Sequence, residues 1–390
     1  MTQANPVKPA ARSAGPAAPA YPWAFLGRVL LKAALLFAAL NLIFAAIFPM
    51  RLLGQASLYN LLVPGRQRFP FGENPAQSYN LSLYNLDAMF ASLALNAAPK
   101  PADEYRLLVV GDSSVWGTLL RPDDTLVGQL NALNLTCGGK PVRAYNLGYP
   151  TISVTKDLMV LQEAARYQPD QVLWLTTLEG MLRKEQLRSP ILANNPERAR
   201  ALIAEYGLGL DPNDPAFVEP TFWDKTLVGA RRPLADLLRL QLYGFLWGAT
   251  GVDQVYAWNP QKDAAQRDFS TDVTFHELAG PALDANLLAL DVLQAGVKAA
   301  SPARLTVINE PILVSSGKNS DLRYNFFYPR WAYDSYRAAL AGAIQASGAQ
   351  YLDLWNIVPE AEFTNSAIHL TPAGEALLAQ AVAGQFCGVK

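Results

Sequence analysis

Apolar positions along this chain fall into three kinds of run, and each predicts a different element. The first is a continuous block over 29–50, VLLKAALLFAALNLIFAAIFPM, whose only interruptions are Lys32 and Asn41. At about 1.5 Å per residue such a block reaches across a hydrocarbon core about 30 Å thick, so it predicts a transmembrane helix. Lys32 sits near its N-terminal end, where a long side chain can reach the headgroups, and Tyr21 and Trp23 stand at the interface. The downstream Gly54-Gln55-Ala56 resembles a small-residue cleavage site. The apolar block is nevertheless longer than the roughly 7 to 15 residues of a cleaved signal peptide, and an uncleaved anchor is expected.

The second kind of run is short and alternates with amphipathic stretches. Strands are predicted over 105–110 (YRLLVV), 142–147 (VRAYNL), 171–176 (QVLWLT), 305–309 and 351–354. Helices are predicted between and after them, over 124–133, 154–167, 282–299, 331–347 and 372–386. Apolar strands alternating with helices mean a parallel sheet covered on both faces. The fold class is therefore α/β, a flavodoxin-like doubly wound sheet of about five parallel strands, whose functional groups gather beyond the strands' C-terminal ends.

The third kind breaks that rhythm between about 180 and 280, a mainly helical insertion. It holds a charged helix over 196–206 and an apolar one over 234–249 (LADLLRLQLYGFLWGA). The second reads as a core helix packing the insertion onto the domain; the other reading is a surface that touches the bilayer or a lipid substrate, and because Asp236 and Arg239 can both lie on a solvent face the pattern does not separate the two. The resulting organisation is a disordered Ala/Pro/Ser-rich tail over 1–28, the anchor over 29–50, a connecting region over 51–103 and the α/β domain over 104–390. The connecting region carries Pro64, Gly65, Pro70, Gly72 and Pro75 as breakers and one helix over 81–95.

Charge narrows the partners. With 32 basic and 33 acidic residues the net charge is −1, which argues against a nucleic-acid partner. Lys8, Arg12, Arg28 and Lys32 precede or open the span and Arg51, Arg66 and Arg68 follow it; the slight bias places the N-terminus in the cytoplasm and the main domain outside it. There are two histidines, His276 and His369, and two cysteines, Cys137 and Cys387, with none of the close spacings of a zinc site. No metal or cofactor is predicted.

The chemistry is expected in the stretch over 107–119, LLVVGDSSVWGTL, where an apolar strand runs into Gly111-Asp112-Ser113. A glycine there permits a tight strand-to-helix turn, and the turn lifts Ser113 to the sheet edge where doubly wound folds bind ligands. A serine hydroxyl needs a base to become a nucleophile. His369 stands in a matching place, after the last strand and just before Thr371-Pro372, a capping residue and a helix-opening proline. His276, in TFHELAG, reads as a surface residue of the insertion.

These motifs resemble the SGNH (GDSL-type) hydrolase and acyltransferase family. GDSSVWG is similar to its first block, YNLGYP over 145–150 to its second and IHLTPAG over 368–374 to its fifth. The resemblance implies Ser113 as nucleophile, His369 as general base, and the backbone N–H groups of Ser113 and Gly148 as the oxyanion hole. Two departures accompany it. The family's aspartate three residues before the histidine is Ser366 here, with Asn365 one step earlier; either can hold the ring's other nitrogen, and neither brings charge. The family's oxyanion asparagine falls at Leu178, and Thr177 or a residue of the insertion is the candidate to take its place. Asn309 and Glu310 end the fourth strand at the same edge and are pocket candidates, and the aromatic stretch over 324–337 reads either as core or as the floor of a sugar cleft.

Cys137 follows the domain's first helix and Cys387 its last. In a flavodoxin-like topology those helices lie side by side, which predicts a Cys137–Cys387 disulfide and an oxidising compartment. The expectation is a membrane-anchored extracytoplasmic serine esterase or O-acyltransferase, with an acyl ester or an acetylated glycan as substrate and the bilayer as partner. The competing reading is a catalytically degenerate domain that binds a glycan or a protein without turnover.

Overall fold

The computed structural model describes residues 22–63, 66–70, 81–252 and 268–385. The expected N-terminal tail up to residue 21 and Cys387 lie outside the described residues. The chain forms two compact units: residues 22–48 with Thr221–Ala230, and the remainder.

In the first unit the helix α1 (Trp23–Ile47) starts six residues earlier than the apolar block suggests. Pro22 stands at its N-cap, and the helix stops where Phe48 turns left-handed before Pro49. Helix α1 has a mean hydropathy of 2.3 and is long and apolar enough to cross a membrane. Asn41, the polar interruption, is satisfied within the unit: its Nδ2 donates to Phe37 O at 2.9 Å, and its Oδ1 accepts from Val228 N–H at 3.1 Å.

The second unit begins with α2 (Met50–Gly54), α3 (Leu58–Leu62) and α4 (Leu86–Ala91). The long helix expected over 81–95 is instead α4 flanked by two single 3₁₀ turns. The connecting region is also no linker, because Leu83, Leu86, Met89 and Phe90 enter the main core.

Strand β1 (Tyr105–Gly111) leads into the short α5 (Ser113–Trp116) and then α6 (Leu126–Ala132). Next come β2 (Thr136–Cys137), β3 (Lys140–Gly148), α7 (Val154–Ala164) and β4 (Gln171–Thr176). The insertion supplies α8 (Leu178–Met181), α9 (Pro190–Ala193), α10 (Pro196–Tyr206) and α11 (Arg231–Thr250). The chain closes with α12 (Leu290–Ala300), β5 (Arg304–Asn309), α13 (Arg330–Ser347), β6 (Gln350–Asp353) and α14 (Pro372–Ala383).

The sheet order is β2-β3-β1-β4-β5-β6. Strands β3, β1, β4, β5 and β6 are parallel, as expected; β2 is an additional antiparallel edge of two residues. Alternation along each strand assigns the faces. Leu108, Val110 and Trp174 pack beneath α7, α12 and α13, while Leu107, Val109 and Leu173 pack beneath α6 and α14. Both faces are therefore dry, which is why these strands read as unbroken apolar runs. Register aligns Gly111 with Gly148, so the ends of β1 and β3 finish level at the edge from which the Asp112-Ser113 turn departs.

Candidate active site

Ser113 is the first residue of α5, directly after β1, and the turn is held by its neighbour. Asp112 caps the helix, its Oδ1 accepting from Ser114 N–H at 2.8 Å. His369 comes from the loop before α14. Thr364 N–H and Thr364 Oγ1 both donate to His369 O, at 2.9 and 3.1 Å, and Thr371 caps α14 through Gly374 N–H at 3.1 Å. Leu313 N–H donates to Ala367 O at 2.7 Å, tying the same loop to the segment after β5.

These two frames bring together groups 256 residues apart. Ser113 Oγ lies 2.8 Å from His369 Nε2, and His369 Nδ1 lies 2.8 Å from Asn365 Oδ1. An amide oxygen facing Nδ1 requires the proton there, which leaves the Nε2 lone pair to accept the serine hydroxyl. Burial of the ring, with no carboxylate against it, lowers the His369 pKa to about 4. The imidazole is thus neutral and proton-accepting across the physiological range.

Of the two orienting candidates, Asn365 makes the contact. Thr177 is fully buried, its Oγ1 3.1 Å from Tyr328 Oη, and Leu178 is buried as well. Asn309 is also a core residue: its Oδ1 accepts from Tyr333 and Tyr336 at 3.2 and 3.1 Å, and its Nδ2 donates to Asp353 at 2.8 Å. The aromatic stretch after β5 is largely core, with Tyr324, Tyr328, Tyr333 and Tyr336 all buried. His276 Nε2 is hydrogen-bonded to Glu179 Oε2 at 2.9 Å.

Gly148 packs against α5, and its lack of a side chain is a packing requirement. A Cβ there would lie 2.3 Å from Trp116 N, inside the backbone of α5. Its N–H donates to Asn146 Oδ1 at 2.9 Å, so in this arrangement the amide is committed within its own turn. Ser113 N–H, at the start of α5, belongs to the class of amides that have no acceptor inside the helix.

Sequence reasoning missed the charged cluster beneath the turn. Lys156 is fully buried; its Nζ donates to Gly111 O at 2.8 Å and Tyr149 O at 3.1 Å, and it pairs with Asp157. One ammonium therefore holds the ends of β1 and β3 together directly under the nucleophile. Burial pushes Asp157 up to about 6 despite the lysine, and burial also raises Asp112. The signal was a Lys-Asp pair in the otherwise apolar opening of α7, VTKDLMVL.

On the other side of α5, Ser114 Oγ donates to Glu310, and both border a cavity of about 10 Å³ shared with Glu375, room for one water. Burial raises the Glu310 pKa well above the usual carboxylate range and pushes Glu375 up to about 8. With its pKa near 8, Glu375 keeps its proton at pH 7, which lowers the cost of holding it dry; for Glu310 burial and the neighbouring Asp112 act in the same upward direction.

A serine and a neutral histidine in hydrogen-bond contact at the C-terminal edge of a parallel sheet form an arrangement in which an imidazole can accept a hydroxyl proton. No family description matches the chain by sequence, and no curated protein does. Its structure is similar to those of several GDSL-type esterases, all at low identity. A lipolytic G-D-S-L family member from Veillonella parvula is 11% identical, with 73% of this chain and 99% of that one covered and a TM-score of 0.36. An acetylxylan esterase from Geobacillus stearothermophilus is 13% identical, with 73% and 95% covered and a TM-score of 0.35. A carbohydrate acetylesterase from Sinorhizobium meliloti is 11% identical, with 73% and 99% covered and a TM-score of 0.33.

Proposed function

We propose that this chain is a membrane-anchored serine esterase or O-acyltransferase that works outside the cytoplasm. The observation that carries the reading is the relay from Ser113 Oγ through His369 to Asn365 Oδ1, with Nε2 2.8 Å from the serine and Nδ1 2.8 Å from the amide oxygen. Ser113 Oγ attacks the ester carbonyl carbon while its proton passes to His369 Nε2. The carbonyl oxygen takes the negative charge and is held by Ser113 N–H, joined by Gly148 N–H once Asn146 releases it. His369 then hands the proton to the departing alcohol oxygen, leaving an acyl-serine. Water or a sugar hydroxyl attacks that acyl group, with His369 again taking the proton; the acyl–Oγ bond then breaks as His369 returns that proton to Ser113 Oγ, restoring both side chains. Acetylated surface glycans are the substrate class that the motif resemblance implies.

The relay ends on an amide, so the imidazolium formed in each step has no carboxylate to pair with, and Leu178 offers no oxyanion donor. These two features support slow turnover, and they favour the second reading of a domain that binds without turning over. Labelling by a fluorophosphonate decides between them. Label on Ser113 that disappears in Ser113→Ala and His369→Ala is the expected result; no label at any pH from 6 to 9 overturns the enzyme reading.

The extracytoplasmic location goes with the proposed Cys137–Cys387 disulfide. Cys137 is buried in one apolar cluster with Val382 and Ala383 at the end of α14, four residues before Cys387. Closing so long a loop contributes about 4–5 kcal/mol in the chain-entropy picture. Cys137→Ser is expected to lower the midpoint of thermal unfolding, and dithiothreitol to lower the wild-type midpoint to the same value. Equal midpoints with and without the reductant in the wild-type protein would refute the bridge.

A further inference from the structure

Helix α11 is amphipathic the wrong way round for a solvent-facing helix. Its buried positions are Asp236, Leu240 and Gly244, whereas Leu238, Leu242, Phe245 and Leu246 are 60, 62, 43 and 54% exposed. At 100° per residue those four cluster on the face opposite the buried one. Asp236, which the sequence allows on a solvent face, is instead buried and paired with Arg239 at 3.2 Å.

The inward face is occupied by α3. Gln241 bridges the two elements, its Oε1 accepting from Leu58 N–H at 2.8 Å and its Nε2 donating to Ala56 O at 2.9 Å. Gly244 lets Tyr59 lie against the helix, since a Cβ there would come within 2.6 Å of the ring. With Tyr59 and Asn60 turned inward, Leu58, Leu61 and Leu62 are left 61, 76 and 72% exposed. Seven large apolar side chains thus face outward from two helices in contact. That surface is on the order of several hundred Å², at or above the largest patch a monomeric soluble domain usually leaves to water.

Chain connectivity says what covers it. Both helices leave from the unit that holds α1. Helix α3 begins eleven residues after Ile47, the last residue of α1, with α2 taking up part of that span. Helix α11 begins at Arg231, directly after a segment whose Val228 N–H is hydrogen-bonded to Asn41 of α1. Two separate stretches of chain therefore connect this apolar pair to α1: eleven residues from its end to α3, and the segment bonded to Asn41 that runs directly into α11. The C-terminal third of α1 lies toward one face of the bilayer once α1 spans it.

We propose that α3 and α11 form a second membrane contact, lying in the interface with Leu58, Leu61, Leu62, Leu238, Leu242, Phe245 and Leu246 among the lipid acyl chains. This rests on the reading of α1 as a transmembrane anchor. The contact holds the α/β domain in one orientation on the bilayer surface. The patch is coupled to the nucleophile's turn by residues between α3 and α4. The Arg66 guanidinium lies over Trp247 of α11, while that of Arg68 lies over Trp116 and donates to Trp116 O and Gly117 O at 2.8 and 2.6 Å.

The test is photocrosslinking in the full-length chain reconstituted in phosphatidylcholine–phosphatidylglycerol vesicles, with benzoylphenylalanine placed singly at Leu36, Leu61, Leu242 or Gln345. Leu36 reports the anchor, Leu61 and Leu242 the proposed contact, and Gln345 on α13 is the control. Lipid adducts at positions 36, 61 and 242, with at least tenfold less at 345, are expected. Adducts at 36 but at neither 61 nor 242 would overturn the second contact and leave the anchor standing. Crosslinks from 242 to protein instead of lipid would overturn it in favour of a second copy or a protein partner. No adduct at 36 would overturn the anchor and the contact with it.

Discussion

Replacing Asn365 with aspartate would put a carboxylate where the relay now ends on an amide oxygen, 2.8 Å from His369 Nδ1. Two unit charges about 4 Å apart attract by about 4 kcal/mol at an effective dielectric of about 20. Asn365 and His369 are both half-buried, so solvent screening reduces this to about 2–3 kcal/mol. The charge stabilises the imidazolium and leaves the neutral ring's tautomer as it is. Two consequences follow from that one interaction. The His369 pKa is expected to rise from about 4 to about 6, because 1.36 kcal/mol corresponds to a tenfold change in protonation. The transition state, in which the ring holds the serine proton, gains the same stabilisation, so kcat/KM is expected to increase by roughly 30- to 100-fold. The assay is hydrolysis of 4-nitrophenyl acetate from pH 4 to 9. In the wild-type protein activity is expected to fall on the acidic side near pH 4, following His369; in Asn365→Asp that fall should move up by about two pH units while the plateau rises. Asn365→Ala, which frees the ring to take the other tautomer, should lose activity by about 10²-fold or more. An acidic limb that stays near pH 4 in a folded Asn365→Asp protein would refute the argument, since no carboxylate could then be acting on that ring.

Glu375 offers a test through stability. Its pKa is about 8 in the folded protein against an ordinary value of 4.5, so between those pH values the folded state keeps a proton that the unfolded chain has lost. Stability therefore falls as pH rises from about 4.5 to 8, by about 4 kcal/mol from this residue, and Glu375→Gln should flatten that slope and be the more stable protein at pH 8. Parallel urea titrations of the two proteins at pH 5 and pH 8 measure it, and identical slopes would contradict the assignment. Lys156→Met should cost about 3–5 kcal/mol in the same assay, because it strands the Asp157 carboxyl in the core and frees the ends of β1 and β3. Lys156→Met combined with Asp157→Leu should recover part of that loss; a single variant as stable as the parent would show that the ammonium is not what holds the turn.

What local pattern can express was legible from the chain alone. Period-two burial on both faces forces unbroken apolar strands, so the five parallel strands stood out; the two residues of β2 are too few to carry a period. Helix α10 was bounded by Pro196 at its start and Gly207 after its end, and its limits match the expectation. The serine at the end of β1 and the histidine before α14 were legible for the same reason, because a glycine turn and a Thr-Pro helix start are local signals. Which atom would meet the far side of the imidazole was not, because Asn365 and Ser366 differ by one step in a loop whose path is set by hydrogen bonds from Thr364 and Leu313.

The roles of Asn309 and Thr177 also depended on tertiary packing, since a polar residue at a strand's end can face a pocket or a ring of buried tyrosines and the pattern is the same. Helix α11 shows the limit most plainly. Its composition says that it is amphipathic, while the partner on its inner face, a five-residue helix 170 positions earlier, is known only once the chain is folded. Sequence determined which residues are apolar, which turns are tight and which hydroxyl stands at the sheet edge. Tertiary structure decided what each of them faces, because contact between distant segments depends on how whole elements pack and is not encoded in any short window.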